Sequence, residues 1–175
     1  MLFRNLALPL LAASTAWAAV SNEIYLIRHG EKTSDDSVGL STQGQQRAQC
    51  LRNVFGRSST YRIGKIFAQA YKSDGSRRRP YDTVLPLAQD LGLTVDTSCD
   101  RDDIDCVHDK IHAFADKSSL DILVCWEHDA LEDIGKAIGQ GFSYPSSHFD
   151  LIFHEHKGSL TSNSPYSEKC PGLDS

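Results

Sequence analysis

An apolar stretch of this chain ends directly in an arginine and a histidine. Residues 24–32 read IYLIRHGEK, so Arg28 and His29 follow a run that is typical of a buried strand. Burying an unpaired charge in a low-dielectric interior costs on the order of several kcal/mol unless another group compensates it. A bound anion would supply that compensation. The sequence therefore predicts an anion-binding site where this strand ends.

A second apolar run ends in a similar group of polar residues. Residues 120–126 read LDILVCW, and Glu127, His128 and Asp129 follow. If both runs are parallel strands of one sheet, their carboxyl ends lie at the same edge, where such sheets bind ligands. We therefore expect His29 and His128 to share one site.

The chain between these points alternates between strand and helix patterns. Strand patterns lie at residues 23–28, 62–70, 93–97, 120–126 and 150–156, with the last predicted to form an edge strand. Helical patterns lie at residues 41–55, 80–91, 104–114 and 131–138. This alternation predicts an α/β fold with three layers, α/β/α, and a mostly parallel central sheet.

Four features in a fixed order resemble the histidine phosphatase superfamily, which has the phosphoglycerate mutase-like fold. They are LIRHGEK at 26–32, LSTQGQQRAQ at 40–49, the arginine and threonine of RPYDT at 79–83, and a strand followed by His128. The resemblance extends from Ile24 to about Ile138.

The resemblance implies that His29 is the nucleophile that takes the phosphoryl group, and that Arg28, Arg79 and His128 surround the phosphate oxygens. Phosphoryl transfer depends mainly on positioning and on stabilisation of negative charge, which fixed guanidinium groups supply. Nearby arginines also disfavour protonation of His29 and leave a ring nitrogen able to attack. Residues 77–78 are interpreted either as a solvated patch or as contacts at the substrate rim.

The proton donor for the leaving group has several candidates. The resemblance favours Asp129, because an aspartate directly follows the second histidine in the acid phosphatase and phytase branch. In the mutase-like branch a glutamate from an intermediate loop serves. The loop candidates here are Asp100, Asp102, Asp103 and Asp105. Glu127 is a lesser candidate, because neighbouring strand residues point to opposite faces.

No cofactor or metal is expected for this chemistry. The acidic loop CDRDDIDC begins like a calcium-binding loop, but Asp105 and Ile111 stand where the glycine and the bidentate glutamate belong. His108 and His112 have helical spacing, and residues 154 and 156 are histidines on one strand face. Neither pair has an evident third ligand, so both are interpreted as surface histidines.

Five cysteines indicate disulfides and one spare thiol. Cys125 lies in an apolar run and is predicted to be free, as a small buried hydrophobe. The other four allow three pairings, of which the sequence favours Cys99 with Cys106 and Cys50 with Cys170.

The first residues have the pattern of a secretory leader. One early basic residue precedes an apolar stretch and the small-residue pattern Ala16-Trp17-Ala18, which predicts a signal peptide over residues 1–19 and one domain over 20–175. The net charge of −5 includes one lysine or arginine in this leader and no acid, so the remaining chain carries −6. This balance disfavours nucleic acid and anionic membranes as partners. We expect a secreted, extracellular protein.

The length of the chain favours hydrolysis over phosphoryl transfer between substrates. A mutase must retain its substrate between two transfers, and this short chain lacks material for a cap. We therefore expect a metal-independent phosphatase that forms a phosphohistidine and acts on a small phosphorylated substrate or a phosphoprotein. The alternative is an inactive protein of the same fold that binds a phosphate ligand or a protein partner.

Overall fold

The structure, a computed structural model, describes residues 19–33 and 38–174. Its strands are β1 (Glu23–Arg28), β2 (Ile63–Ala68), β3 (Val95–Asp96), β4 (Asp121–Trp126), β5 (Leu151–His156), β6 (Ser159–Leu160) and β7 (Tyr166–Ser167). Its helices are α1 (Thr42–Phe55), α2 (Arg79–Leu91), α3 (Ile104–Ala115) and α4 (His128–Ile138). The predicted leader lies outside the described residues except for Ala19.

The strands form one sheet in the order β3-β2-β4-β1-β5-β6, and β7 also pairs with β5. β3, β2, β4 and β1 run parallel, whereas β5 is antiparallel to β1 and both short strands are antiparallel to β5. The predicted mostly parallel sheet is confirmed. The prediction of an edge strand at residues 150–156 is wrong, because β6 and β7 pair with the far side of β5.

A hydrophobic core covers each face of the sheet. Apolar residues of α1 and α2, including Leu51 and Leu87, pack against one face. Apolar residues of α3 and α4, including Ile111 and Leu131, pack against the other. The predicted three-layer α/β/α arrangement is confirmed. Because both faces are covered, the ends of the strands are the part of the sheet left available to a ligand.

Local sequence signals explain where the helices begin and end. The hydroxyl of Ser41 accepts a hydrogen bond from the backbone N–H of Gly44 and caps α1. Pro80 lies in the first turn of α2, and Gly92 ends that helix with a φ of 72°, which glycine adopts without strain. β3 is shorter than the predicted strand, because its pairing with β2 covers only Val95 and Asp96.

Two disulfides join the cysteines as the sequence favours. Cys50 on α1 is bonded to Cys170 in the C-terminal segment, and Cys99 is bonded to Cys106 across the start of α3. Cys125 is free and buried. Both disulfides and the free thiol are therefore confirmed. Within the described ranges, no helix has the length and apolar character that crossing a bilayer requires.

Candidate active site

The two strands that precede the predicted site residues are direct neighbours. β1 pairs with β4 in parallel register, with Arg28 opposite Trp126. The backbone N–H of His29 donates to the carbonyl of Trp126 at 3.1 Å. Residues 28–29 and 127–128 therefore leave the sheet at the same edge, and the structure brings the two segments together there.

His29 is held in one tautomer inside the protein. Its side chain is buried, with 3% of the residue exposed, and Nδ1 lies 2.8 Å from the carbonyl oxygen of Gly30. A carbonyl can only accept a hydrogen bond, so Nδ1 carries the proton and Nε2 keeps its lone pair. Burial, together with the charges of Arg28 and Arg79, lowers the pKa of His29 to about 4. The imidazole is therefore neutral at mildly acidic and neutral pH.

Arg28 is a buried cation whose donors are only partly satisfied. Its Nη1 donates to the carbonyls of Ser146 and His148 at 2.6 and 2.9 Å, and its guanidinium lies 4.0 Å from the ring centroid of Phe149. Its Nε is buried and has no hydrogen-bond partner among the described residues. Leaving a charged donor buried and unpaired is costly. A bound oxyanion would satisfy this donor.

Thr83 connects the nucleophile segment to the helix that carries Arg79. Its buried hydroxyl accepts from the backbone N–H of Gly30 at 2.9 Å and donates to the carbonyl of Arg79 at 2.8 Å. Arg79 is the first residue of α2, so its side chain begins at the sheet edge that carries His29. The threonine thereby fixes the distance between two parts of the site.

The carboxylate of Glu127 contacts the imidazole of the next residue, His128. Its Oε1 lies 2.5 Å from Nδ1 of His128, and its Oε2 lies 2.6 Å from Nη2 of Arg101. Burial raises the pKa of Glu127, but Arg101 and His128 outweigh burial and hold it below its usual value. The expectation that Glu127 points away from His128 is wrong. β4 ends at Trp126, and Glu127 instead caps α4 by accepting from the N–H of Asp129.

The remaining acidic candidates differ in how far they are already engaged. The side chain of Asp129 is 73% exposed, and its Oδ1 lies 3.3 Å from Nε2 of His128. Asp103 caps α3 by accepting from the N–H of Cys106 at 3.1 Å. Asp102 forms an ion pair with Arg101. Asp129 is therefore the carboxylate that lies beside His128 without an arginine partner in the described structure.

Comparison with known proteins gives matches among solved structures alone. Neither protein-family profiles nor curated proteins match this sequence. The protein histidine phosphatase SixA complexed with tungstate superposes with a TM-score of 0.58 at 16% identity, covering 83% of this chain and 97% of its own. The fold is that of the histidine phosphatases.

Two further structures agree with this fold assignment. A protein from Agrobacterium tumefaciens, assigned as the phosphohistidine phosphatase SixA, has a TM-score of 0.50 and 13% identity, covering 81% of this chain and 96% of its own. A protein from Escherichia coli, assigned as an alpha-ribazole-5'-P phosphatase, has a TM-score of 0.50 and 14% identity, covering 89% and 97%. The resemblance deduced from the sequence is confirmed at the level of the histidine phosphatase fold.

Two polar residues of the site were not singled out in the sequence. Arg101 binds Glu127, and the side-chain oxygen of Gln69 accepts from the backbone N–H of Glu127 at 3.1 Å. Gln69 directly follows β2, so the rule that places sites at the carboxyl ends of strands could have identified it. Arg101 is the one cationic residue in the acidic loop CDRDDIDC, and this contrast in charge could have identified it.

The side chains of the arginines at 77–78 are partly exposed and contact neighbouring residues. Nη1 of Arg77 is 3.9 Å from Asp102, and the backbone carbonyl of Arg77 accepts from Gln69. Arg78 forms an ion pair with Asp82 at 2.9 Å, and its guanidinium lies over the rings of Tyr71 and Tyr81. Both guanidinium groups are therefore engaged with neighbours at the protein surface.

One group of side chains in the described part of the chain has the spacing of a metal site. Glu127, His128 and Asp129 each offer a ligand atom, and these atoms lie within 4.8 Å of one another. Arg101 already neutralises Glu127, so the group is not a free set of anionic ligands. The ring centroids of His108 and His112 lie 4.3 Å apart, and the histidines at 154 and 156 contact Glu23.

Proposed function

We propose that this protein is a phosphatase that hydrolyses phosphomonoesters through a phosphohistidine intermediate on His29, without a metal. The observation that carries the proposal is that a neutral imidazole and a buried, partly unsatisfied guanidinium both lie at the carboxyl end of β1. His29 keeps an unprotonated Nε2, while Nε of Arg28 has no hydrogen-bond acceptor in the described structure. A phosphate group would bind the guanidinium and meet the nucleophile.

In the first step, Nε2 of His29 attacks the phosphorus in line with the leaving oxygen. The lone pair of Nε2 forms the N–P bond as the P–O bond breaks, and the leaving oxygen takes a proton from Asp129. Arg28, Arg79 and His128 bind the equatorial oxygens, where negative charge is spread in the transition state. The hydrogen bond from Nδ1 to Gly30 stabilises the positive charge that develops on the ring.

In the second step, water attacks the phosphohistidine. The carboxylate of Asp129 accepts a proton from this water as the new P–O bond forms and the N–P bond breaks. The electron pair of the broken bond returns to Nε2, and inorganic phosphate leaves. His29 and Asp129 are then in their starting protonation states, so the cycle consumes one water for each ester.

Glu127 acts as a positioning residue in this scheme. Its ion pair with Arg101 keeps it deprotonated, which makes it a poor proton donor but a good acceptor for Nδ1 of His128. This contact with Oε1 of Glu127 holds the imidazole of His128 in place beside the phosphate.

The substrate is a small phosphate ester or a phosphorylated protein side chain. The structural relatives support both classes, because two are described as acting on phosphohistidine and one on a small phosphate ester. One of them binds tungstate, a tetrahedral oxyanion of the same shape as phosphate. We propose that this chain also binds a tetrahedral oxyanion, the phosphate group of its substrate.

We place this phosphatase outside the cell. The leader pattern at residues 1–19 supports secretion. The disulfides Cys50–Cys170 and Cys99–Cys106 support it independently, since such bonds persist mainly in oxidising compartments.

The experiment measures hydrolysis of p-nitrophenyl phosphate, an alkyl phosphate and a phosphohistidine peptide by wild type, His29→Ala and His156→Ala. We expect turnover by wild type and by His156→Ala, whose imidazole lies at the opposite end of β1, and none by His29→Ala. Wild type that binds tungstate or phosphate but turns over none of the three substrates would favour the alternative, a phosphate-binding protein.

A further inference from the structure

Glu155 is a buried carboxylate that the proposed reaction does not use. It lies on β5, is 1% exposed, and neither Oε1 nor Oε2 has a hydrogen-bond partner among the described residues. The nearby backbone N–H of Gln140 partly offsets the effect of burial by lowering the pKa of Glu155. Burial dominates and raises the pKa of Glu155 to about 8.

The surroundings of Glu155 are apolar. The residues directly opposite it are Ile24 on β1 and Leu160 on β6, and both pack into the core beneath α3 and α4. Opposite residues of antiparallel strands place their side chains on the same face, so the carboxylate enters that core. No lysine, arginine or histidine in the described part of the chain pairs with either oxygen of Glu155, and Lys136 forms an ion pair with Asp133. With a pKa of about 8, an unpaired Glu155 is mostly protonated at pH 7, and a cationic partner would return it to the carboxylate form.

The start of the described chain lies at the same place. The side chain of Ala19 lies against Gly158, 3.0 Å from where a Cβ would stand, and Gly139 also packs against Gly158. Val20, the next residue, is buried in the core that receives Glu155. Residues 19–20 and the Glu155 carboxylate thus both lie beside the 139–140 segment and the turn between β5 and β6.

We infer that Glu155 is the docking site for the α-ammonium group of Ala19 or Val20, created when the leader is cleaved after Ala18 or Ala19. Hydrolysis of that peptide bond by a signal peptidase consumes one water and yields a carboxylate on the leader and an ammonium on the mature chain. Before cleavage, the same nitrogen is a neutral amide with one N–H. After cleavage it carries a charge and three donors, which satisfy both carboxylate oxygens.

If the new α-ammonium group binds Glu155, the folded chain becomes more stable once the leader has been cleaved. Ala19 is exposed and Val20 is buried in the core, so cleavage on either side of Ala19 leaves the new terminus beside this core. The inference depends on the predicted leader and is independent of the phosphatase reaction. It therefore requires no activity measurement.

The first test is a two-by-two comparison on the full chain secreted with its own leader. One variant inserts Gly-Ser directly after the cleavage site, once mass spectrometry of the wild type has located it, and the second is Glu155→Gln. We expect the insertion to lower the thermal midpoint at pH 7 by about 5 °C or more in wild type. In Glu155→Gln the insertion should change the midpoint by less than half of that. Equal shifts in both backgrounds, or a secreted protein that keeps its leader, would overturn the inference.

A second test reads the terminus itself and applies even if one variant is unstable. Trace labelling with acetic anhydride at pH 7 compares the reactivity of the α-amino group with that of exposed lysines in the same sample. We expect the terminus of wild type to react about tenfold more slowly than that of Glu155→Gln, since only an unprotonated, accessible amine reacts. Equal rates in the two proteins would contradict the pairing.

Discussion

Nδ1 of His29 lies 2.8 Å from the carbonyl oxygen of Gly30. Because the carbonyl can only accept, this contact fixes the proton on Nδ1 and the lone pair on Nε2. The hydroxyl of Thr83 fixes Gly30 in turn, because it accepts a hydrogen bond from the backbone N–H of Gly30. The tautomer that a nucleophilic histidine requires is thus set by the backbone of the next residue.

The first prediction concerns the protonation of His29. Its pKa is lowered to about 4, so it should remain neutral at pH 5, where an ordinary histidine is mostly protonated. Ring-proton NMR of the free protein should show a titration midpoint near 4, with the resonance assigned through its loss in His29→Asn. A midpoint near 6.5 would contradict the buried, arginine-flanked site.

The same shift has a consequence for stability. The unfolded chain takes up a proton at His29 near its ordinary pKa, whereas the folded chain does so only near 4. Between these values the unfolded state binds more protons, so the free energy of unfolding falls as the pH is lowered. Urea denaturation at pH 7 and pH 4.5 should show a smaller loss for His29→Asn than for wild type. If His29→Asn loses as much unfolding free energy as wild type between pH 7 and pH 4.5, other residues cause the acid sensitivity.

The third prediction tests Asp129 as proton donor. Asp129→Asn should slow hydrolysis of an alkyl phosphate by about 10²-fold or more, the usual value of a positioned general acid. It should slow p-nitrophenyl phosphate much less, because p-nitrophenolate leaves readily without a proton.

Asp133→Asn is the matched control, an exposed aspartate one turn further along α4. It should change neither rate. If the selective loss instead follows Asp102→Asn, the proton donor belongs to the loop before α3.

The fourth prediction concerns Thr83. Thr83→Val keeps the shape of the side chain but leaves the N–H of Gly30 buried without an acceptor, which costs about 1–3 kcal/mol of unfolding free energy. The value of kcat/KM should also fall, because His29 and Arg79 lose their common anchor. Thr83→Ser should recover most of both losses in urea denaturation and kinetic assays. If serine does no better than valine, packing of the methyl group and not the hydroxyl is what matters.

Much of the fold could be predicted because its signals are local. Pro80 and Gly92 mark the two ends of α2 by their own backbone preferences, and the structure places that helix between them. β6 and β7 could not be predicted, because two-residue strands have no periodicity to read. Without these two strands, the sequence pattern predicts β5 at the edge of the sheet.

The predicted part of the site follows from strand ends and from the RPYDT motif that contains Arg79. His29 and His128 come after neighbouring parallel strands, so their approach follows from topology. The orientation of Glu127 depends on where β4 stops and α4 begins, and a shift of one residue reverses the side on which a strand side chain lies. Arg101 reaches Glu127 from a loop whose path is determined by tertiary packing and by the Cys99–Cys106 disulfide.

The fifth prediction separates the two disulfides. Cys50 and Cys170 are 120 residues apart, and Cys99 and Cys106 only 7, so chain entropy makes removal of the first costlier by about 2–3 kcal/mol. Activity should show the opposite order, because the short loop carries Arg101. Paired cysteine-to-alanine variants, compared by urea denaturation and by kcat/KM, measure both effects. The same order in both measurements would argue against a role for the loop in the site.

The central claim is that His29 becomes phosphorylated during turnover. Rapid quenching of wild type with ³²P-labelled substrate into base should trap a label that is stable in alkali, lost in acid and located on the peptide containing His29. His29→Ala should carry no label, and His156→Ala should carry as much as wild type. Turnover by wild type with no trapped label, or a label on His128 instead, would contradict the account.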